Sequence, residues 1–412
     1  MPPSAYVPRR PESCCLRVDK MSHYIQRTVS AICAVAVIAT VAFFPASASA
    51  EILRFVFLAD SRAHDTGEPL VNPVYTEALK PIIEKIGQLE PRPAFVMFGG
   101  DMSYRGYIDY KDNHIGYTFQ AWKDLFKDLT DAGIPLYTAI GNHELYRHDG
   151  SDSPDKCVLS FCLENQEEYK NVFVENPQNG PQNYTPGYDR LVYSFTSPGR
   201  DAFFAVLDPY YITQDTDPSD LGGHIDDVQL DWLKKQLART RATHKFLFIH
   251  TPYYYVTGQD PEEYSTADES HLKLWTILDN NRFDFYACGH QHLYSRKTIN
   301  RGVLPVPQTI PPHAPWKHNV VQLLNGTSGA DPDQGTPTVK DPSAWHIQQD
   351  PNTYYFSVID IVGRCEKVVS YGYNTNTEDF SVVDEFTIAH TGGIFGQFVS
   401  SQDILQYPWM CH

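Results

Sequence analysis

Five apolar runs in this 412-residue chain each stop on a residue able to bind a metal ion, and that recurrence constrains the fold more than any other feature. Phe55-Val56-Phe57-Leu58-Ala59 stops at Asp60, and Phe95-Val96-Met97-Phe98 runs through two glycines to Asp101. Leu136 to Ile140 leads into Gly141-Asn142-His143-Glu144, Lys245 to Ile249 into His250, and Phe283 to Cys288 into Gly289-His290-Gln291-His292. Short runs rich in aromatic and β-branched residues read as buried strands. The strands expected are Ile52–Ala59, Ala94–Phe98, Leu136–Ile140, Ala202–Leu207, Phe246–Ile249 and Phe283–Ala287. Helical patterns fall between them at Val74–Leu89, Phe119–Ala132, Asp227–Leu237 and Ser270–Asp279, the third carrying Val228, Leu230, Leu233 and Leu237 near one stripe. Strand–helix alternation argues an α/β layered domain. Sheets of that class gather ligands at the carboxyl ends of their strands, so the terminal residues are expected in one crevice. Two carboxylates, an amide oxygen and three imidazoles suit ions such as iron, zinc or manganese. Each residue alone is weak evidence, since an Asp after a strand usually caps a turn and a lone His usually satisfies a hydrogen bond. The joint pattern is specific.

Beyond Asn319 the pattern turns strand-rich, with Val320–Leu324, Tyr354–Ile361, Lys367–Tyr373 and Ser381–Ile388 expected to form a second sheet packed on the first. Residues 144–190, 209–223 and 329–351 read as long loops. No internal repeat interrupts the chain, and one large domain over residues 51–412 is expected. Charge narrows the partners: 33 Lys and Arg against 50 Asp and Glu leave a net −17. Residues 1–50 are themselves net basic, so the acidity belongs to the remainder. Such a surface repels a phosphate backbone and argues against a nucleic-acid partner. A small phosphate ester remains compatible, because bound metals overrule the global field locally.

The first 50 residues read as a secretory signal. Val29 to Phe44 is small or apolar, Arg17, Lys20 and Arg27 precede it, and Ala48-Ser49-Ala50 offers a cleavage site before Glu51. Its sixteen residues at ~1.5 Å each fall short of a ~30 Å hydrocarbon core. Met21 offers an alternative start. No later run is long enough to cross a bilayer, so an exported protein, periplasmic or extracellular, is expected. Five cysteines follow the signal. Cys157 with Cys162 and Cys365 with Cys411 could pair in an oxidising compartment, and Cys288 reads as a buried thiol. Asn183-Tyr184-Thr185 and Asn325-Gly326-Thr327 are formal glycosylation acceptors.

The ordered set Asp60, Gly100-Asp101, Gly141-Asn142-His143-Glu144, His250 and Gly289-His290-Gln291-His292 resembles the calcineurin-like metallophosphoesterases. The resemblance implies a four-layer α/β sandwich, two mixed β-sheets flanked by helices. It implies two metal ions, with Asp60 and His292 on the first, Asn142, His250 and His290 on the second, and Asp101 bridging. Two ions ~3.5–4 Å apart activate water and clamp phosphoryl oxygens for an in-line displacement. His143 resembles the family histidine that assists the leaving oxygen, typically worth ~10²–10⁴-fold. Arg105 resembles a family arginine expected to bind substrate.

One position departs. The family usually places a histidine two residues after the first aspartate, and Arg62 stands there. Arginine has no lone pair to offer a metal but can grip a phosphate with two N–H groups. Purple acid phosphatases also lack that histidine and carry a tyrosine three residues after the bridging aspartate, the spacing of Asp101 and Tyr104. Gly289-His290-Gln291-His292-Leu293-Tyr294-Ser295-Arg296 resembles their segment as well. Tyr104 is therefore a candidate ligand for the first ion, or a neighbour of His143. The expected function is hydrolysis of phosphate monoesters. A phosphodiesterase or nucleotidase, and a catalytically silent secreted binding protein on the same fold, are the rivals.

Overall fold

The computed structural model describes residues 52–63, 72–110, 113–148, 158–216, 223–257, 269–299, 316–337, 346–390, 397–399 and 411. The expected signal segment lies outside them. In chain order the strands are β1 (Leu53–Leu58), β2 (Phe95–Phe98), β3 (Tyr107–Tyr110), β4 (Asn113–Tyr117), β5 (Leu136–Thr138), β6 (Arg147–His148), β7 (Tyr193–Thr196) and β8 (Ala202–Val206). They continue with β9 (His244–Phe248), β10 (Phe285–Cys288), β11 (Tyr294–Ile299), β12 (Val320–Asn325), β13 (His346–Gln348), β14 (Thr353–Val362), β15 (Cys365–Asn374), β16 (Asp379–Ala389) and β17 (Gln397–Val399). One sheet runs β17-β16-β15-β14-β1-β2-β5, a second β13-β11-β12-β10-β9-β8-β7, and β4-β3-β6 form a small third. Both large sheets are mixed: β1, β2 and β5 are parallel with β14 antiparallel to β1, and β8, β9, β10 and β12 are parallel with β7 and β11 antiparallel at the flanks.

Alternation along the strands builds the layers. Side chains two apart share a face, and in β1 Phe55 and Phe57 join a core with Phe95, Phe204, Phe246, Phe248 and Phe285 between the two sheets. The Phe55 ring stacks on Phe95 at 5.0 Å and meets Phe204 and Phe246 edge-on at 5.4 and 5.1 Å. Burying a side chain of this size contributes about 1.5–3 kcal/mol, so the aromatic seam clamps the two sheets. The intervening residues Val56, Leu58, Val96 and Phe98 enter the other core with the helices. There Phe98 meets Trp122 of helix Phe119–Leu125 at 4.6 Å, and Tyr286 meets Trp275 of helix Glu269–Asn280 at 5.4 Å. The expected four layers are present.

Several boundaries differ from expectation. The helix expected over Phe119–Ala132 breaks at Phe126 into Phe119–Leu125 and Lys127–Asp131, because Phe126 leaves helical geometry with ψ 5°. Residues 144–190 are not all loop: Leu159–Val172 is a helix whose buried face is Cys162, Asn165, Gln166, Tyr169 and Lys170. That face mixes Cys162 and Tyr169 with Asn165, Gln166 and Lys170, which blurs the apolar period. The late strands do not form a sheet of their own. β12 inserts into the second sheet, and β14, β15 and β16 extend the first beyond β1. Cys365 and Cys411 form the expected disulfide and Cys288 is a buried free thiol. Cys162 is disulfide-bonded, while Cys157, its expected partner, lies outside the described residues. Asn325 is fully buried and donates to Phe57 O at 2.8 Å, which removes it as a glycosylation acceptor. Among the described residues no helix is long and apolar enough to cross a membrane.

Candidate metal centre

Parallel pairing sets the carboxyl ends of β1, β2 and β5 side by side, and those of β9 and β10 likewise in the facing sheet. The polar residues after each strand meet there. Asp60, Asp101 and His290 hold φ of 57°, 55° and 74°, a left-handed conformation that costs a non-glycine residue about 1–3 kcal/mol and clusters at functional sites. Backbone bonds hold the turns: Asp60 N donates to Gly100 O at 3.0 Å and Ser61 N to Asp101 O at 2.9 Å. Gly289 permits a close approach, since a Cβ there would sit 2.2 Å from Asp60 Oδ2. Gly100 has φ of +96°, and a Cβ on it would meet His250 Nδ1 at 2.7 Å.

Two groups of donor atoms share one carboxylate. Asp60, Asp101 and His292 form one group and Asp101, His250 and His290 the other, with donor atoms inside each within 4.8 Å. His250 Nδ1 lies 2.8 Å from Gly99 O, which leaves Nε2 to face Asp101 Oδ1 at 3.4 Å. That Nε2 is buried without a hydrogen-bond partner, an arrangement suited to a cation. His292 is held in the same way, Nδ1 at 2.9 Å from Asp331 O and Nε2 at 3.8 Å from Asp60 Oδ1. Imidazoles that bind metals usually donate their other N–H to such a carbonyl. Asn142 Oδ1 lies 3.2 Å from His290 Nδ1 and so joins the second group. Asp60, Asp101 and His250 are buried, whereas Asn142, His143, His290 and His292 are half-buried at the crevice. The residues fit two ions with Asp101 between them.

The titrating groups of the site act strongly on one another: burial acts downward on His250, but Asp101 and Asp60 outweigh it and push it up to about 10. Burial, reinforced by Asp101, pushes the Asp60 carboxyl well up, even though His250 opposes the shift. For Asp101 burial also acts upward, but His250 and His143 outweigh it and hold the carboxyl well below its usual range. Burial, with His250 alongside, pushes His290 down to about 4, and burial with Arg62 pushes His292 down to about 3. Both imidazoles are then neutral at pH 7, with lone pairs available.

His143 occupies the edge of the site, Nε2 3.9 Å from Asp101 Oδ2, while its backbone N donates to Asp101 Oδ1 at 3.0 Å. Its Nδ1 is 2.6 Å from Arg105 Nη1 and 2.7 Å from Tyr104 O. Arginine only donates and a carbonyl only accepts, so Nδ1 meets one partner of each kind and the tautomer follows whichever it pairs with. Burial, together with Arg62 and Arg105, keeps this imidazole well below its usual pKa despite Asp101. Arg105 does not meet the expectation of a substrate contact. It is 1% exposed, behind His143, and Nη1 also donates to Tyr104 O at 2.7 Å. It orients His143. Tyr104 is buried with its ring face under the Arg105 guanidinium, 4.1 Å to the centroid, and its ring lies 6.2 Å from that of His143. Arg62 is half-buried, and its Nε has no hydrogen-bond partner.

Glu144 is the functional residue that motif reasoning missed. Its fully buried carboxylate accepts from Gly141 N at 2.7 Å and from Asp101 N and Met102 N at 2.8 Å each, tying the β2 turn to the β5 turn. Burial and nearby Asp101 push it up to about 7 against those bonds. A signal exists in the sequence: Glu144 stands three residues after Gly141, the spacing of a capping box at a helix start.

The family model for calcineurin-like phosphoesterase matches residues 53–294, a span that holds every candidate ligand from Asp60 to His292. An uncharacterized protein of Mycobacterium tuberculosis is 23% identical over 238 residues, 57% of this chain and 40% of that protein. Tartrate-resistant acid phosphatase type 5 of Mus musculus is 26% identical over 208 residues, 48% of this chain and 54% of that one. The chain thus covers about half, or less, of the length of these curated relatives. Among solved structures, a purple acid phosphatase from yellow lupin (Lupinus luteus) seeds aligns with a TM-score of 0.49 and 16% identity, over 86% of this chain and 55% of that one.

Proposed function

The chain belongs to the calcineurin-like phosphoesterase family, and from that premise we propose that it is an exported binuclear-metal hydrolase of phosphate monoesters. The observation that carries the reading is the pair of donor groups sharing Asp101, with His143 beside them. Bound ions, iron, zinc or manganese, would supply an activated water and a clamp on the phosphoryl oxygens. The chain's own groups do the rest. Asp60, Asp101, Asn142, His250, His290 and His292 hold the charge, and Glu144 keeps two of their turns in register. His143 presents Nε2–H toward the crevice, where a hydrogen bond to the leaving oxygen strengthens as negative charge develops on it. A hydrogen bond from Arg105 to Nδ1 would put the ring hydrogen on Nε2 for that purpose. The unpartnered Nε of Arg62 suits a terminal phosphate oxygen, and a monoester dianion presents three of them. Tyr104 is proposed as an added oxygen ligand of the first ion, filling the place that Arg62 cannot. Export is supported by the apolar segment before Glu51 and by the Cys365–Cys411 disulfide, a bond that persists in oxidising compartments.

The test is metal analysis of the purified chain beside kinetics on a panel of monoesters, diesters and nucleotides. Monoesters are expected to show the highest kcat/KM, and Asp101→Ala is expected to release metal and abolish turnover. A well-folded Asp101→Ala protein with near-normal turnover would overturn the mechanism. A diester preferred over every monoester would replace the substrate class and leave the site intact.

A further inference from the structure

We propose a second, separate cation site of the zinc class, formed by His244 and Asp284 at the opposite ends of β9 and β10 from the candidate metal centre, with Glu366 of β15 and His390 after β16. One donor atom from each of the four lies within 4.8 Å of the others. Residues alternate along β9, so His244, Phe246 and Phe248 share the face toward the other sheet, and His250 of the candidate centre follows in the same period. Six residues separate His244 from His250, which at ~3.3 Å each sets the two sites about 20 Å apart. The same alternation places Glu366 with Val368 of β15 and His390 with Phe386 and Ile388 of β16. Asp284 leads into β10. Each large sheet therefore contributes two of the four groups.

The donor chemistry requires a shared positive centre. His244 Nε2 lies 2.9 Å from Gly363 O and must carry the ring hydrogen to bond that carbonyl. In the neutral ring Nδ1 then presents a lone pair directly to Glu366 Oε1, its contact in the structure. Two lone pairs do not face one another without a cation or a proton between them. Orientation of a ligating imidazole by a backbone carbonyl on its other nitrogen is a usual feature of metal sites. His390 Nε2 lies 3.0 Å from Glu366 Oε1 and 3.1 Å from Asp284 Oδ1. A tetrahedral ion with bonds of about 2.0–2.2 Å spaces its ligands about 3.3–3.6 Å apart, a small adjustment for His390, while His244 and Glu366 would have to part to admit it. Glu366 is fully buried, and its other oxygen, Oε2, has no hydrogen-bond partner. Two carboxylates balance a dication once both imidazoles give up their protons to it, and four protein ligands leave no open position, the pattern of a structural site. His390, 17% exposed at its side chain, gives an ion its approach. The site would cross-link the two sheets beside the Cys365–Cys411 disulfide, to which Arg364 N is tied through Cys411 O at 3.0 Å.

The experiment uses the full chain, stripped with chelator, dialysed against Zn²⁺ and analysed for bound zinc. His390→Gln and Asp284→Asn are each expected to hold one zinc fewer per chain than wild type, with unchanged monoester turnover. Equal zinc contents in wild type and both folded variants would overturn the proposal and leave a network held by shared protons. If either variant fails to fold, the Asp101→Ala, Asn142→Ala double variant, whose catalytic centre is disabled, should still take up one equivalent at this site. Loss of that equivalent when whichever of His390→Gln and Asp284→Asn folds is added supports the assignment, and no uptake in the double variant refutes it.

Discussion

Gly289→Ala places one methyl carbon where the candidate metal centre has no room. On the present backbone that carbon would lie 2.2 Å from Asp60 Oδ2 and 2.8 Å from Ala59 Cβ. Carbon and oxygen ordinarily approach to about 3.3 Å, so the shortfall against the carboxylate is roughly 1.1 Å. Ala59 is fixed in the chain beside β1, and the Asp60 side chain is the part able to turn. Turning it breaks its bonds from His290 N, at 3.0 and 3.1 Å, and withdraws a donor from the first group. Overpacking of this kind costs about 1–3 kcal/mol of stability, whereas a displacement near 1 Å at a reacting centre costs ~10²-fold in rate. The two effects separate with a control. Gly372→Ala in β15 is also crowded, 2.6 Å from Thr353 Cγ2 and 3.0 Å from Val383 Cγ1, but belongs to no part of the site. Thermal unfolding should show losses of similar order for both variants. Turnover of a chromogenic monoester should fall about a hundredfold in Gly289→Ala alone, together with its bound metal. Wild-type turnover in Gly289→Ala, or an equal loss of turnover in Gly372→Ala, would refute the reasoning.

His143→Ala is expected to keep its metal and lose ~10²–10⁴-fold in kcat, most for esters with poor leaving groups. Equal losses for good and poor leaving groups would give His143 a purely structural role. If the Tyr104 phenolate binds the first ion, the iron-loaded protein is coloured by charge transfer and Tyr104→Phe is colourless, while identical visible spectra would reject the ligand role. Asp208 is fully buried, its Oδ2 lacks a hydrogen-bond partner, and burial pushes its carboxyl up to about 8. With the folded value raised above the unfolded one of ~3.9, the stability this group contributes is complete below that pH and is lost as pH rises toward about 8. Asp208→Asn should therefore match wild type near pH 4 and unfold at progressively higher temperature than wild type as pH rises to 8. A difference in Tm that stays constant across that range would show that Asp208 does not titrate there.

What the sequence by itself determined was the local chemistry. A run of four to six apolar residues ending on an aspartate, asparagine or histidine is a strand with a polar end whatever surrounds it, so β1, β2, β5, β9 and β10 and the ligand candidates after them were legible. The short motifs also carry their own geometry, since Gly100, Gly141 and Gly289 stand where a Cβ would strike another member of the site. Periodicity exposed helix Asp227–Leu237 because its buried face includes Leu230, Leu233 and Leu237, and it hid helix Leu159–Val172 because Asn165, Gln166 and Lys170 interrupt Cys162 and Tyr169 on the buried face. The partition of strands between sheets was decided only in three dimensions. β14 lies against β1 across a chain separation of some 300 residues, Leu53 facing Ile361, and nothing local to either strand names its partner. Arg105 shows the same limit: a guanidinium near a phosphate site reads as a substrate contact until packing buries it behind His143. The cluster of His244, Asp284, Glu366 and His390 lies at the far limit of legibility. Its members come from four separated places, and only the packing of one sheet on the other brings an imidazole nitrogen onto a carboxylate oxygen 122 positions along the chain.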